Sequence, residues 1–133
     1  MLKPLGKLFY EVKKQYIKPY SKPRYVFDKD KGFIVWRLGT GENVELLHIR
    51  ASSQRRGYGR SLFYLMLDSL KLEMTPYYSV FGFTRVSNDR AKEFYEAMGF
   101  NLQPIQGLYA DGEAIMFWQE YSKLLQYRNE YHR

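Results

Sequence analysis

Two glycines with one residue between them, behind a glutamine and a pair of arginines, stand where a strand should give way to a helix: Gln54-Arg55-Arg56-Gly57-Tyr58-Gly59. Upstream, Val44 to Ile49 is rich in β-branched and aliphatic residues. Downstream, Leu62, Phe63, Met66, Leu67 and Leu70 recur at helical spacing. A glycine-rich strand-to-helix turn leaves backbone N–H groups pointing out of the helix start. With the positive end of the helix dipole they form an anion site, and phosphate is its usual guest. The glycines let the backbone approach a ligand with no Cβ in the way. Arg55 and Arg56 add charge. No Gly-Lys-Ser/Thr follows the turn, which argues against an NTPase loop. The G-x-G-x-x-G spacing of a dinucleotide fold is also absent.

A second constellation follows one helix and one strand later: Asn88, Ala91 three residues on, Phe94-Tyr95, and Gly99-Phe100. With both sets in this order, the sequence resembles the GNAT superfamily of acyl-CoA-dependent N-acetyltransferases. The resemblance runs from about Val44 to Trp118. Gln54, Gly57 and Gly59 match the family's Gln/Arg-x-x-Gly-x-Gly/Ala cofactor motif. Asn88, Ala91, Phe94-Tyr95 and Gly99-Phe100 match its second motif. The implied reaction is transfer of an acetyl group from acetyl-CoA to a primary amine. The amine would attack the thioester directly in a ternary complex. With no cysteine in the chain, a thiol acyl-enzyme is ruled out.

The resemblance also implies residue roles. Backbone amides of Arg55, Arg56, Gly57, Tyr58, Gly59 and Arg60, with Gln54 leading in, would cradle the pyrophosphate of coenzyme A. Ile49, Arg50 and Ala51 would run beside the pantetheine arm, in a gap where two central strands splay apart. A backbone N–H near Ile49 would stabilise the oxyanion. Asn88 would hydrogen-bond the pantetheine amides. Tyr95 would protonate the departing thiolate. The simpler reading of Asn88 is a helix cap, and of Tyr95 a core aromatic. Two residues are candidates for taking the amine's proton. Glu45 matches the position where some family members carry a glutamate base, and His48 titrates near neutrality. In a regular strand they point to opposite faces, unless a bulge intervenes. Their simpler readings are a solvated strand-entry charge and a satisfied buried histidine, and a water chain could replace either base. No metal is called for.

The elements that must hold these residues read as follows. Leu8 to Ile17 is an amphipathic helix, ended by Pro19. Arg24 to Phe27 and Phe33 to Leu38 are strands around an Asp28–Gly32 turn. Gly39–Asn43 turns into a third strand, Val44 to Ala51. A helix from about Tyr58 to Leu72 stops at Thr75-Pro76. Tyr77 to Thr84 is a strand, with Gly82 marking a bulge or a close backbone approach. Ser87-Asn88-Asp89 caps a helix to about Met98, and Gly99 ends it. Phe100 to Pro104 and Ala114 to Gln119 close an antiparallel pair, with turn residues at Gln106-Gly107 and Asp111-Gly112. The tail from Glu120 is polar and reads as helical. The fold class is α+β, in mixed α/β layers. A GNAT-like fold adds a central, mostly antiparallel mixed sheet flanked by helices.

The 133 residues make one domain (1–133), with a basic N-terminal helix and arm (1–22) and a polar tail (120–133). The absence of cysteine excludes disulfides and thiolate zinc sites and fits a reducing, cytoplasmic setting. Met1 to Lys7 lacks the apolar middle of a signal peptide, and no segment reads as a membrane span. A net charge of +7 favours anionic partners. The expected partner is a small-molecule or peptide amine, and not a membrane. The shortened N-terminal portion suggests a pocket open to macromolecules or completed by a second subunit, a homodimer. The alternative is a GNAT-fold binding module for nucleic acid or protein, without turnover. Its support is the charge, the basic arm (Lys13, Lys14, Lys18, Lys22, Arg24) and the tyrosines.

Overall fold

In a computed structural model, residues 6, 22–54, 56–109 and 112–131 are described. The chain divides into two compact units, Met1–Pro76 and Tyr77–Arg133. The described residues form six strands and three helices, the α+β content that the sequence predicts. The expected Leu8–Ile17 helix and the residue Arg55 lie outside the described residues.

The first unit holds β1 (Arg24–Asp28), β2 (Gly32–Leu38), β3 (Asn43–Ala51) and α1 (Tyr58–Leu72). β2 is the middle strand, antiparallel to both neighbours. Its residues Phe33 to Trp36 are all buried. Such a continuous apolar run suits a strand covered on both faces. α1 packs on all three strands. It does so through Leu62, Phe63, Met66, Leu67 and Leu70, each at most 1% exposed. The helix is the one predicted, to the residue.

Turn chemistry sets the β1–β2 hairpin. Asp28 Oδ1 accepts the backbone N–H groups of Asp30 and Lys31, at 2.8 and 3.0 Å. These bonds hold the Asp28 carboxyl below its ordinary pKa. Gly32 follows with φ of 131°, and a Cβ there would lie 1.9 Å from Arg50 O. Only glycine allows β3 to pair so closely at that point.

The register between β2 and β3 slips once. Leu46 opposes Trp36 and His48 opposes Val35, so Leu47 is the extra residue of a β-bulge. Residues directly opposite in an antiparallel pair point to the same face. Glu45, opposite Arg37, and His48, opposite Val35, therefore share one face. The alternation expected of a regular strand is overturned by the bulge.

The second unit holds β4 (Ser79–Arg85), α2 (Asp89–Ala97), β5 (Asn101–Tyr109), β6 (Gly112–Glu120) and α3 (Tyr121–Tyr131). β6 is the middle strand, antiparallel to β4 and β5. Pro104 is tolerated because β5 lies at an edge. The turn expected at Gln106-Gly107 falls inside β5, where the pairing shifts between Ile105 and Tyr109. Gly107, at φ 81°, absorbs that irregularity. Gly82 pairs with Phe117 in an unbroken ladder, so no bulge forms there on the β6 side.

Candidate active site

The first unit builds the anion site. Gly57 is the N-cap of α1, at φ 73° and ψ 13°. The left-handed conformation explains the glycine. A Cβ there would meet no atom of the described residues within 4 Å. The space beside the turn is open to a ligand. Among the described residues no side chain caps the helix, and no acidic residue lies in its first turn. The first intrahelical bond of this end runs from Ser61 N–H to Gly57 O, at 3.0 Å. The N–H groups of Tyr58, Gly59 and Arg60 precede it and face the helix end. A fifteen-residue helix thus presents its positive end without a built-in counter-charge. Gln54 and Arg56 are exposed at its approach.

β3 leads into this turn and carries both candidate bases. Glu45 Oε1 accepts from Arg37 Nε at 2.8 Å, with both side chains mostly buried. Arg37 is absent from the sequence-predicted site. Its position opposite Glu45 becomes readable only once the register is known. His48 is half-buried, and its ring stacks on Phe33 with centroids 5.6 Å apart and planes 17° from parallel. Burial, and then the Arg50 charge, push its pKa below the ordinary 6.5. The imidazole is therefore neutral at neutral pH and has a lone pair to offer. Ile49 and Ala51 are half-buried, and Arg50 is exposed.

The second unit holds the other predicted pair. Asn88 is the N-cap of α2, with its Oδ1 accepting from Ala91 N–H at 3.1 Å. The capping reading of Asn88 and the motif's alanine are thus one interaction, and the exposed side chain keeps its NH₂ for other partners. Tyr95 is 7% exposed. Its ring stacks on Phe117 at 3.6 Å and 11°, with Phe94 and Phe100 edge-on. Burial raises the phenol pKa well above the ordinary 10. Tyr95 is both a core aromatic and a group that keeps its proton throughout the neutral range.

Gly99 and Phe100 close α2 in a Schellman motif. Phe100 N–H bonds Tyr95 O at 3.0 Å, and Gly99 N–H bonds Glu96 O at 3.1 Å. Gly99 takes φ 100°. The Phe100 ring meets the Tyr95 ring, the apolar contact that accompanies such a cap.

Residues 9–100, more than half of the chain, match the family model described as Acetyltransferase (GNAT) family. The chain belongs to the GNAT acetyltransferase family. The reaction of that family is acetyl transfer from acetyl-CoA. Solved structures agree on the GNAT fold. A Desulfovibrio desulfuricans protein of the GNAT family superposes with a TM-score of 0.66 at 22% identity, covering 74% of this chain and 69% of that one. The ribosomal-protein-S18-alanine N-acetyltransferase of Escherichia coli gives 0.61 at 22%, covering 88% and 87%. The PaiA N-acetyltransferase of Thermoplasma acidophilum, in complex with coenzyme A, gives 0.59 at 18%, covering 74% and 61%. No curated protein shows significant sequence similarity to the chain. In this GNAT domain, the open glycine cap and the uncompensated helix end fit a pyrophosphate.

Proposed function

We propose that this GNAT domain transfers an acetyl group from acetyl-CoA to a primary amine of a small molecule or peptide. The observation that carries the reading is the start of α1: an αL glycine cap, open space beside it, and no acid in the first turn. The amides of Gly57 to Arg60 hold the phosphates, with Gln54 and Arg56 at the rim. Ile49, Arg50 and Ala51 flank the arm. When bound, acetyl-CoA supplies an acetyl group activated as a thioester.

His48 takes the amine's proton in this reading. Its imidazole is neutral and makes no hydrogen bond among the described residues. Glu45 is engaged by Arg37. It acts instead as the fixed charge that holds Arg37 on the same face. Asn88 offers its NH₂ to an amide carbonyl, and Tyr95 offers its retained proton to the leaving sulfur. The cysteine-free composition supports a cytoplasmic setting.

A free-thiol release assay over a panel of small-molecule and peptide amines tests the reaction. Thiol release that depends on the amine is the expected outcome. Acetyl-CoA binding with no amine-dependent release across the panel would contradict transfer and leave binding standing.

A further inference from the structure

We propose that Lys31, in the β1–β2 hairpin, is a further ligand of the pyrophosphate. The inference rests on the reading that the N-terminus of α1 holds the phosphates of coenzyme A. Lys31 Nζ lies 3.1 Å from Ser61 Oγ. Ser61 is the residue whose N–H starts the α1 ladder on Gly57 O. The ammonium therefore sits within one helical turn of the donors of Tyr58, Gly59 and Arg60.

Without an anion, that is an unfavourable place for a cation. A helix start carries roughly half a positive charge, which repels an ammonium. The first turn of α1 contains no acid to offset it. Among the described residues Lys31 forms no ion pair with a carboxylate. Asp28 feels its charge, but Asp28 Oδ1 is taken by the backbone N–H groups of Asp30 and Lys31. The Ser61 hydroxyl answers one of the three ammonium donors, leaving two. A half-buried lysine beside a like-signed dipole is stabilised once a phosphate lies between them.

The backbone holds the lysine there. Ser52 N–H donates to Lys31 O at 2.7 Å, and Ser52 Oγ donates to Asp30 O. The tip of the hairpin is thus bonded to the chain just past β3, two residues before Gln54. Gly32 secures the same approach, since a side chain there would collide with Arg50 O. Lys31 lies outside the Gln-x-x-Gly-x-Gly segment, so motif spacing alone does not reveal it.

Isothermal titration of coenzyme A and of dephospho-coenzyme A tests the assignment, with the wild-type protein and its Lys31→Met and Lys31→Arg variants. Both ligands contain the pyrophosphate, and only the first carries the 3′-phosphate. Lys31→Met is expected to bind both about tenfold more weakly. Lys31→Arg keeps the charge and should stay within about threefold of wild type. The ligand-free melting temperature of Lys31→Met should hold or rise, because a cation leaves a positive helix end. A fall in that temperature with unchanged affinity would make Lys31 a structural residue and overturn the inference. Unchanged affinity alone also overturns it, while wild-type binding upholds the cofactor reading. Equal losses in both variants remove charge as the cause and overturn it too. A loss confined to coenzyme A would assign the lysine to the 3′-phosphate and reject the pyrophosphate. If the wild type binds neither ligand, it is the cofactor reading that fails.

Discussion

Glu45 and His48 share a face of β3, and their surroundings suit them to different tasks. Arg37 engages the carboxylate at 2.8 Å, whereas burial keeps the imidazole neutral. His48→Gln should lower kcat by about a hundredfold, the usual scale for losing a general base. Glu45→Gln should change kcat by only a few-fold, about what a weakened ion pair costs. Steady-state kinetics on the two variants separates the assignments, and the opposite ranking would make Glu45 the base. His48 also links stability to pH. The unfolded chain takes up a proton near 6.5, while the native imidazole resists it to lower pH. Its stabilising contribution is full above pH 6.5 and is lost as pH falls through the native pKa. Chemical denaturation between pH 7 and 5 should show a shallower loss for His48→Gln than for wild type. Tyr95→Phe keeps the stack on Phe117. It should leave the melting temperature nearly unchanged and still slow turnover. Both candidate bases are legible in the sequence as residue types. Their shared face is not, because Leu47 suits either side of a strand and nothing in its identity announces a bulge.

Two glycines show how elements begin and end at the site. Gly57 starts α1 and Gly99 ends α2, both at positive φ, but their surroundings differ. Around Gly57 a Cβ would meet nothing within 4 Å among the described residues, while at Gly99 it would lie 3.3 Å from the Tyr127 ring. Tyr127 also donates its hydroxyl to Ala97 O at 3.1 Å, and Gln119 Nε2 donates to Gly99 O at 3.0 Å. Gly99→Ala should therefore cost roughly 1–2 kcal/mol for the backbone conformation alone, plus crowding against Tyr127. Urea denaturation reads that loss. Gly57→Val should cost only the backbone term, while its side chain occupies the space offered to phosphate. Its mark is weakened coenzyme A binding in a folded protein. At this scale the sequence was largely readable: α1 matches its predicted bounds, and β3 gains one residue, because apolar periodicity reports burial directly. The β5–β6 pair was harder. Gln106-Gly107 has turn composition, yet pairing with β6 carries the strand through it, a tertiary preference that local composition does not encode.

For the molecule as a whole, a net charge of +7 should draw in a polyanionic ligand. Raising the ionic strength should weaken coenzyme A binding, since exposed charges are screened beyond about 10 Å at 0.1 M salt. The family was legible in two short motifs because each is a backbone device: a helix start with no counter-charge, and a helix end closed by a Schellman glycine. The lysine that the hairpin brings to α1 was hidden, because thirty positions separate Lys31 from Ser61. The amine acceptor leaves no comparable motif. The cofactor readings depend on one event, anion capture at the start of α1. The direct measurement is the thermal unfolding of wild-type protein and Gly57→Val with and without coenzyme A. At a hundredfold excess over Kd, a ligand bound only by the native state adds about 2.7 kcal/mol. The wild-type melting temperature should rise clearly, and that of Gly57→Val little or not at all. No rise in the wild type at millimolar coenzyme A, or an equal rise in both proteins, would contradict anion capture at the start of α1.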